Sequence, residues 1–415
     1  MAMLHGTAVA AMSALALLLT GSGAASAQVA AGGLGTRVNG TALGRCSAGV
    51  CSVQGGSAAG PNLFHRFSQF DTRAGIQRVD LDSRGRSNVV VGVSHPAGSF
   101  FGAPLRLSGA ANLFWLSPGG IWLGNGARFP SATSLLLSTA PTLRLGGGTF
   151  NALGGMADRL GAWADTPSLD LEALAQGGLE GGALGRGDGP ILLAGGRLKV
   201  DRHLLLDSGA GPIRSLTGQG SQLQAGRSVQ LSGGELQLRG LDVLAGTNAL
   251  DDLVRLRSGP LAGGGTGRVE LAQSSLRGAR VLVEGAGGLE LRQVEARASG
   301  ALGSSLVQLS AGAAGLAAAA RLDGVTLTGG DVLVRASGPL AASNLQAQAG
   351  VDGGGGRLEL GAGPAAAAEP SLRLERSQLE GRNLAIGANG PGTLQQVRLA
   401  ADSVQVRADG DLTLR

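Results

Sequence analysis

Cys46 and Cys51 are the most reactive side chains of this 415-residue chain, and they stand five positions apart. In an exported protein an even pair at that spacing reads as a disulfide. The loop it closes is short, so the bond pins a local turn rather than the whole fold. Zinc, with His65 and His95 as further ligands, is the competing reading. The spacing matches no structural zinc pattern, and no metal is expected. Asp251-Asp252 is an adjacent carboxylate pair, and Lys199, Asp201, Arg202 and His203 form a dense polar cluster. Alternate charges on an exposed strand explain that cluster better than a site does. His65, beside Arg66, reads as a packed residue rather than a base. Gly353 to Gly356 looks like a phosphate loop but lacks the strand and helix such a loop needs. Arg186-Gly187-Asp188, flanked by Gly185 and Gly189-Pro190, is an integrin-type tripeptide in an exposed loop, available for cell binding. A chain rich in Arg and Gly also produces it by chance. No Ser, His and Asp grouping for nucleophilic catalysis can be assembled, and no cofactor is expected. These residues point to binding or display, not to an enzyme.

The elements that hold them fall into two chemistries. Every aromatic residue lies between Phe64 and Trp163, and the tract beyond is Leu/Val alternation with Gly, Ala, Ser and Arg. Net charge is +5, and Lys199 is the one lysine among 34 basic residues. The arginines are scattered among Asp and Glu at strand spacing, which is a solvated sheet face and not the basic, ring-bearing surface that binds nucleic acid. Despite 75 glycines, strict alternation of Leu and Val argues for ordered β-structure over disorder.

Residues 1–27 read as a secretory signal: an apolar stretch from Thr7 to Thr20, then Ala25-Ser26-Ala27 as an A-x-A cleavage pattern. Gly and charge interrupt every later apolar stretch, so the mature chain is expected to hold no membrane-spanning helix. The second half repeats. Leu223, Leu276, Leu327 and Leu379 are spaced by 53, 51 and 52 positions, and Leu236, Leu289, Leu340 and Leu394 by 53, 51 and 54. A β-helix turn takes about 20–25 residues, so a unit of about 52 is two turns. Leu and Val then point inward, Gln, Arg and Thr outward, and Gly supplies the positive φ that corners need. Ala311–Ala320 and Gly361–Glu369 are inserts between strands. A propeller of this blade length would carry aromatic markers that the tract lacks. The fold class is expected to be all-β, a parallel β-helix with an N-terminal capping region.

Two phrases lie in the aromatic segment: Gly60-Pro-Asn-Leu-Phe-His-Arg-Phe-Ser-Gln-Phe70 and Ala111-Asn-Leu-Phe-Trp-Leu-Ser-Pro-Gly-Gly-Ile-Trp-Leu-Gly124. Bulky rings at the start of a solenoid suit a cap. The phrases resemble the N-terminal secretion domain of filamentous haemagglutinin-like exoproteins, the passengers of two-partner secretion. The match runs through Asn62, Leu63, Phe64, His65, Phe67 and Phe70, then through Asn112, Leu113, Phe114, Pro118, Gly120 and Ile121. It departs at Ser117 and Gly119, where the family has Asn. The lead-ins Leu34-Gly35-Thr36 and Val38-Asn39-Gly40 are also similar. The resemblance implies a right-handed β-helix and a secretion address. An outer-membrane β-barrel transporter would recognise the matched residues through its periplasmic domains. The passenger would then fold outside, secreted or on the bacterial surface, as an adhesin or haemagglutinin with a host-cell or glycan receptor. A carbohydrate-active β-helix enzyme and a purely structural surface protein are the alternatives. The organisation expected is a signal at 1–27, a secretion domain at 28–165, a Gly-rich loop region at 166–190 and repeats at 191–415. The tract stops in mid-pattern at Leu412-Thr-Leu-Arg415, as a shortened passenger would.

Overall fold

The structure is a computed structural model that describes residues 27–145, 148–155, 158–163, 184–247, 249, 252–300, 305–312, 316–351, 355–365 and 369–415. The leader at 1–26 and most of the 166–190 region lie outside the described residues. Among the described residues no helix is long and apolar enough to cross a membrane.

The chain winds into a three-faced parallel β-helix. One face starts at Asn62–Asp71, Asn88–Val93 and Ala111–Leu116 and ends at Ser403–Ala408, each strand pairing in parallel with the strand one turn on. A second runs from Ser99–Phe101 through Ile121–Gly124 and Ile191–Ala194 to Leu412–Leu414. The third runs from Arg197–Val200 through Ser221–Ala225 to Arg398–Ala400. At the N-terminal end Gly49–Gly55, Ile76–Leu81 and Leu105–Leu107 form the corresponding sheet. Alternate side chains enter the helix, and one continuous core extends from Ala27 to Leu394. A buried Leu or Val contributes about 1.5–3 kcal/mol, so the stacked interior rows hold the turns together.

The repeat length has a visible cause. On the third face the stacked row reads Leu223, Val243, Leu276, Ala296, Leu327, Ala347, Leu379, Leu399. From Leu223 to Ala347 a leucine alternates with a smaller side chain, so the pattern recurs every second turn. Turn length alternates as well. Leu223 to Val243 is a step of 20 and Val243 to Leu276 a step of 33. The long turns carry corner inserts on both sides of one strand, as around Leu253–Ser258 and Leu306–Ala311. The second series needs correction at its end. Leu340 stacks on Leu372 and then Gly392, while Leu394 follows Leu374 in the neighbouring row. That two-residue slip explains the spacing of 54.

Corner chemistry also departs from expectation. Between the second and third faces the chain bends through a single left-handed residue per turn. That residue is Gly240, Gln273, Gln293, Gly324, Asn344, Arg376 and Gln396 in successive turns, with φ between 46° and 63°. Amide and guanidinium side chains thus replace most of the glycines expected there. Backbone bonding between turns continues through the bend, for example from Asn344 N to Glu375 O. Inter-turn hydrogen bonds offset the cost of holding non-glycine residues in this region.

The N-terminal end is closed. Gln28–Gly33 pairs antiparallel with Asn62–Asp71, and Arg45–Cys46 pairs antiparallel with Gln28–Gly33. Thr36–Val38 pairs with Thr41–Ala42 and Gly49–Gly55. These crossed strands cover the first turn and leave no bare parallel edge above it. A second structure lies outside the helix. Thr142–Leu145 and Gly148–Asn151 form a hairpin over the outer side of the first face.

Candidate functional site

The two aromatic phrases sit at the start of the helix, and its pitch brings them together. Asn62 and Asn112 are 50 positions apart in sequence and two turns apart in space, with Asn88 between them. Asn88 Nδ2 donates to Asn62 Oδ1 and Asn112 Nδ2 donates to Asn88 Oδ1, both at 2.9 Å. This asparagine ladder is buried at Asn62 and Asn88. Asn88 escaped the sequence reading, although halving the distance between the two motif asparagines leads close to it.

The motif strands are buried on both sides. Phe67 and Phe70 point into the helix and meet Trp115 and Phe101, with centroids 4.5 to 5.9 Å apart. Phe64 and Phe114 point outward, into a separate core with Val90, Leu136, Leu143 and Phe150. The hairpin supplies that outer cover. Arg66 Nη2 clamps it by donating to Asn151 O at 2.6 Å and pairing with Asp158 at 2.7 Å. The Arg66 guanidinium also lies over the Phe150 ring. Leu63 is fully buried as well.

His65 lies under the cap. Its Nδ1 is 3.3 Å from Thr36 Oγ1, and the same hydroxyl accepts the Arg66 backbone N–H. Burial pushes the imidazole down to about 4, opposed in small part by the Asp82 carboxylate and assisted by the Arg84 charge. It is neutral at pH 7 and serves as packing, tied to Thr36 of the lead-in phrase. Asn39 of the second lead-in accepts from Ser52 N at 2.9 Å. Cys46 and Cys51 form a disulfide within the cap. Neither is then a free thiolate, and His95 accepts a local bond from Ala97 N.

The second phrase makes a corner. Trp115 Nε1 donates to Ser99 Oγ, Ser99 Oγ to Ser117 Oγ and Ser117 Oγ to Gly120 O, each at 2.9 Å. Ser117 therefore supplies side-chain bonding where the resembled family has Asn, and it links the ring core to the turn. Gly119 is required by crowding rather than by its φ. A Cβ there would lie 2.3 Å from Pro96 O in the corner below. Gly120 takes φ +115°, and Pro118 and Ile121 flank the turn.

Arg186-Gly187-Asp188 is not a protruding loop. Its backbone forms the next level of this corner, where Gly187 is buried and its carbonyl accepts from Ala210 N at 2.8 Å. A Cβ on Gly187 would lie 2.4 Å from Thr139 Oγ1. Only the flanking side chains are exposed, and Arg186 Nη2 donates to Leu261 O. His203 is buried with Nδ1 2.8 Å from Ser228 Oγ, while Lys199, Asp201 and Arg202 are exposed, and Asp252 is buried and paired with Arg227. Asp251 lies outside the described residues. Among the described residues no three His, Cys, Asp or Glu side chains converge to hold a metal.

No protein-family model and no curated protein sequence matches the chain. Among solved structures it is similar to a filamentous hemagglutinin secretion domain, at 12% identity, over 93% of this chain and 99% of that one, with a TM-score of 0.30. A likeness that distant carries no functional argument.

Proposed function

We propose that this chain is an exported exoprotein of the two-partner type. In this reading residues 28–165 both address an outer-membrane β-barrel transporter and start the β-helix. The rest is displayed outside the cell, secreted or at the surface, as an adhesin. The observation that carries the reading is the asparagine ladder. Asn62 and Asn112, one from each motif phrase, belong to a single buried structure at the capped end. A chain emerging through a pore folds most simply if its first segment closes on itself and each later turn adds to the one before. The proposal gives the chain no catalytic step; of the polar residues weighed for one, His203 bonds to Ser228 and Asp252 pairs with Arg227.

The test is co-expression with a candidate transporter, scoring protease-accessible chain outside the cell. Export that needs the transporter and falls with Asn62→Ala or Asn112→Ala supports the proposal. Chain that stays folded in the periplasm regardless of transporter overturns it.

A further inference from the structure

Among the Phe and Trp side chains whose burial is described, Phe100 and Trp122 alone are not fully buried, and they stand one turn apart on the outside of the second face. Their centroids are 6.5 Å apart, and the Arg73 guanidinium lies 3.8 Å from the Phe100 centroid. A Cβ on Gly124 would lie 2.3 Å from the far edge of the Trp122 indole, so the ring occupies the space that a side chain there would fill. Trp122 is half-buried, which leaves part of the indole towards solvent.

Gly124, beside which the indole edge lies, bridges to Gly195, and Gly195 and Asn125 line a trough of about 430 Å³. Its floor is backbone because the corner here consists of Gly195, Gly218, Gly220 and Gly240, whereas later corners carry Gln273, Gln293 and Arg376. It is lined by the exposed Asn125, Gln219, Gln222 and Arg197 and by the half-buried Asp242. Asp242 is held by Arg277 through Oδ1, which leaves Oδ2 to accept. The lining therefore offers amide donors and acceptors and one charge of each sign, next to a fixed aromatic plate.

We propose that the trough and Trp122 bind a neutral oligosaccharide. A pyranose ring would stack its C–H face on the indole, and its hydroxyls would exchange bonds with Asn125, Gln219, Gln222 and Asp242. An aromatic plate plus a few fixed polar groups is how a shallow site gains both area and orientation. Balanced charge in the lining favours an uncharged sugar over a sulfated or sialylated one. This deepens the adhesin reading and takes its biological setting from it. The binding itself is a property of the folded chain and is measured without export.

The experiment exposes purified full-length chain to an array of neutral, sialylated and sulfated oligosaccharides, then titrates the best member by isothermal calorimetry. A neutral sugar should bind, and Trp122→Ala should weaken it at least roughly tenfold. Gln222→Ala and Asn125→Ala, which change only exposed side chains, should each weaken it by about threefold with an unchanged melting temperature. Absence of binding, preference for sulfated members, or affinity untouched by all three substitutions would overturn the assignment. So would loss of transporter-dependent export in Trp122→Ala with sugar binding intact, which would make the plate a protein contact. A chain that binds sugar but fails the export assay would retain this site and lose the secretion reading.

Discussion

Asn88 is the centre of the ladder, donating to Asn62 and accepting from Asn112. Its truncation removes both ladder bonds, whereas truncating either end removes one of them. A buried polar group deprived of its partner costs about 1–3 kcal/mol. Asn88→Ala is therefore expected to lower the unfolding free energy by roughly 2–4 kcal/mol in urea titrations, and Asn112→Ala by about half as much. Equal losses would mean that the ladder does not act as a unit. His65 gives a second residue-scale prediction. Burial holds it near 4 in the fold against an ordinary value of 6.5. Between those values the unfolded chain binds more protons than the folded one. Stability should be full above pH 6.5 and fall as pH drops towards 4, by up to about 3 kcal/mol. His65→Leu should flatten that slope. Asp207 works in the opposite sense, since burial raises its carboxyl and the fold retains the proton. Its contribution is lost as pH rises above the ordinary carboxylate range, so the slope is best read in an Asp207→Asn background.

At the scale of the element, the left-handed corner is the least conventional feature. Gln293 sits there at φ +53°. A non-glycine residue in that region costs about 1–2 kcal/mol, and a β-branched one more. Gln293→Gly should leave the melting temperature unchanged or raise it, and Gln293→Val should lower it by several degrees in a thermal scan. If both substitutions destabilise equally, the amide side chain rather than the backbone governs the bend. This corner was not legible in the sequence, because Gln and Arg carry no signature for positive φ and the stack appears only when successive turns are superposed. The strands were legible, since the alternation of buried Leu358 and Leu360 with Arg357 and Glu359 follows directly from which side faces the core. The outer hairpin was hidden for a related reason. Phe64, Phe114 and Phe150 meet only once the first face has formed.

For the whole molecule, the period was readable because Leu223, Leu276, Leu327 and Leu379 fall in one stacked row, two turns apart. The slip at Leu394 was not, because both neighbouring rows are rich in Leu. Of the candidate site, the motif residues were visible as types at fixed spacing, but their partners Asn88, Thr36 and Asp158 come from other turns and the outer layer. In a solenoid each turn contacts only its neighbours, so folding can start anywhere that local stability is highest. Here the capped end combines a disulfide, a ring core, a second hydrophobic layer and the ladder. Folding should therefore begin there and proceed towards Leu412–Leu414. Pulsed hydrogen exchange during refolding from denaturant measures this order directly. The amides of Asn62–Asp71, Asn88–Val93 and Ala111–Leu116 should gain protection before those of Arg357–Ala362 and Asn383–Ala388. Protection that appears first in the distal turns, or in all turns at once, would contradict a helix that starts at the motif phrases.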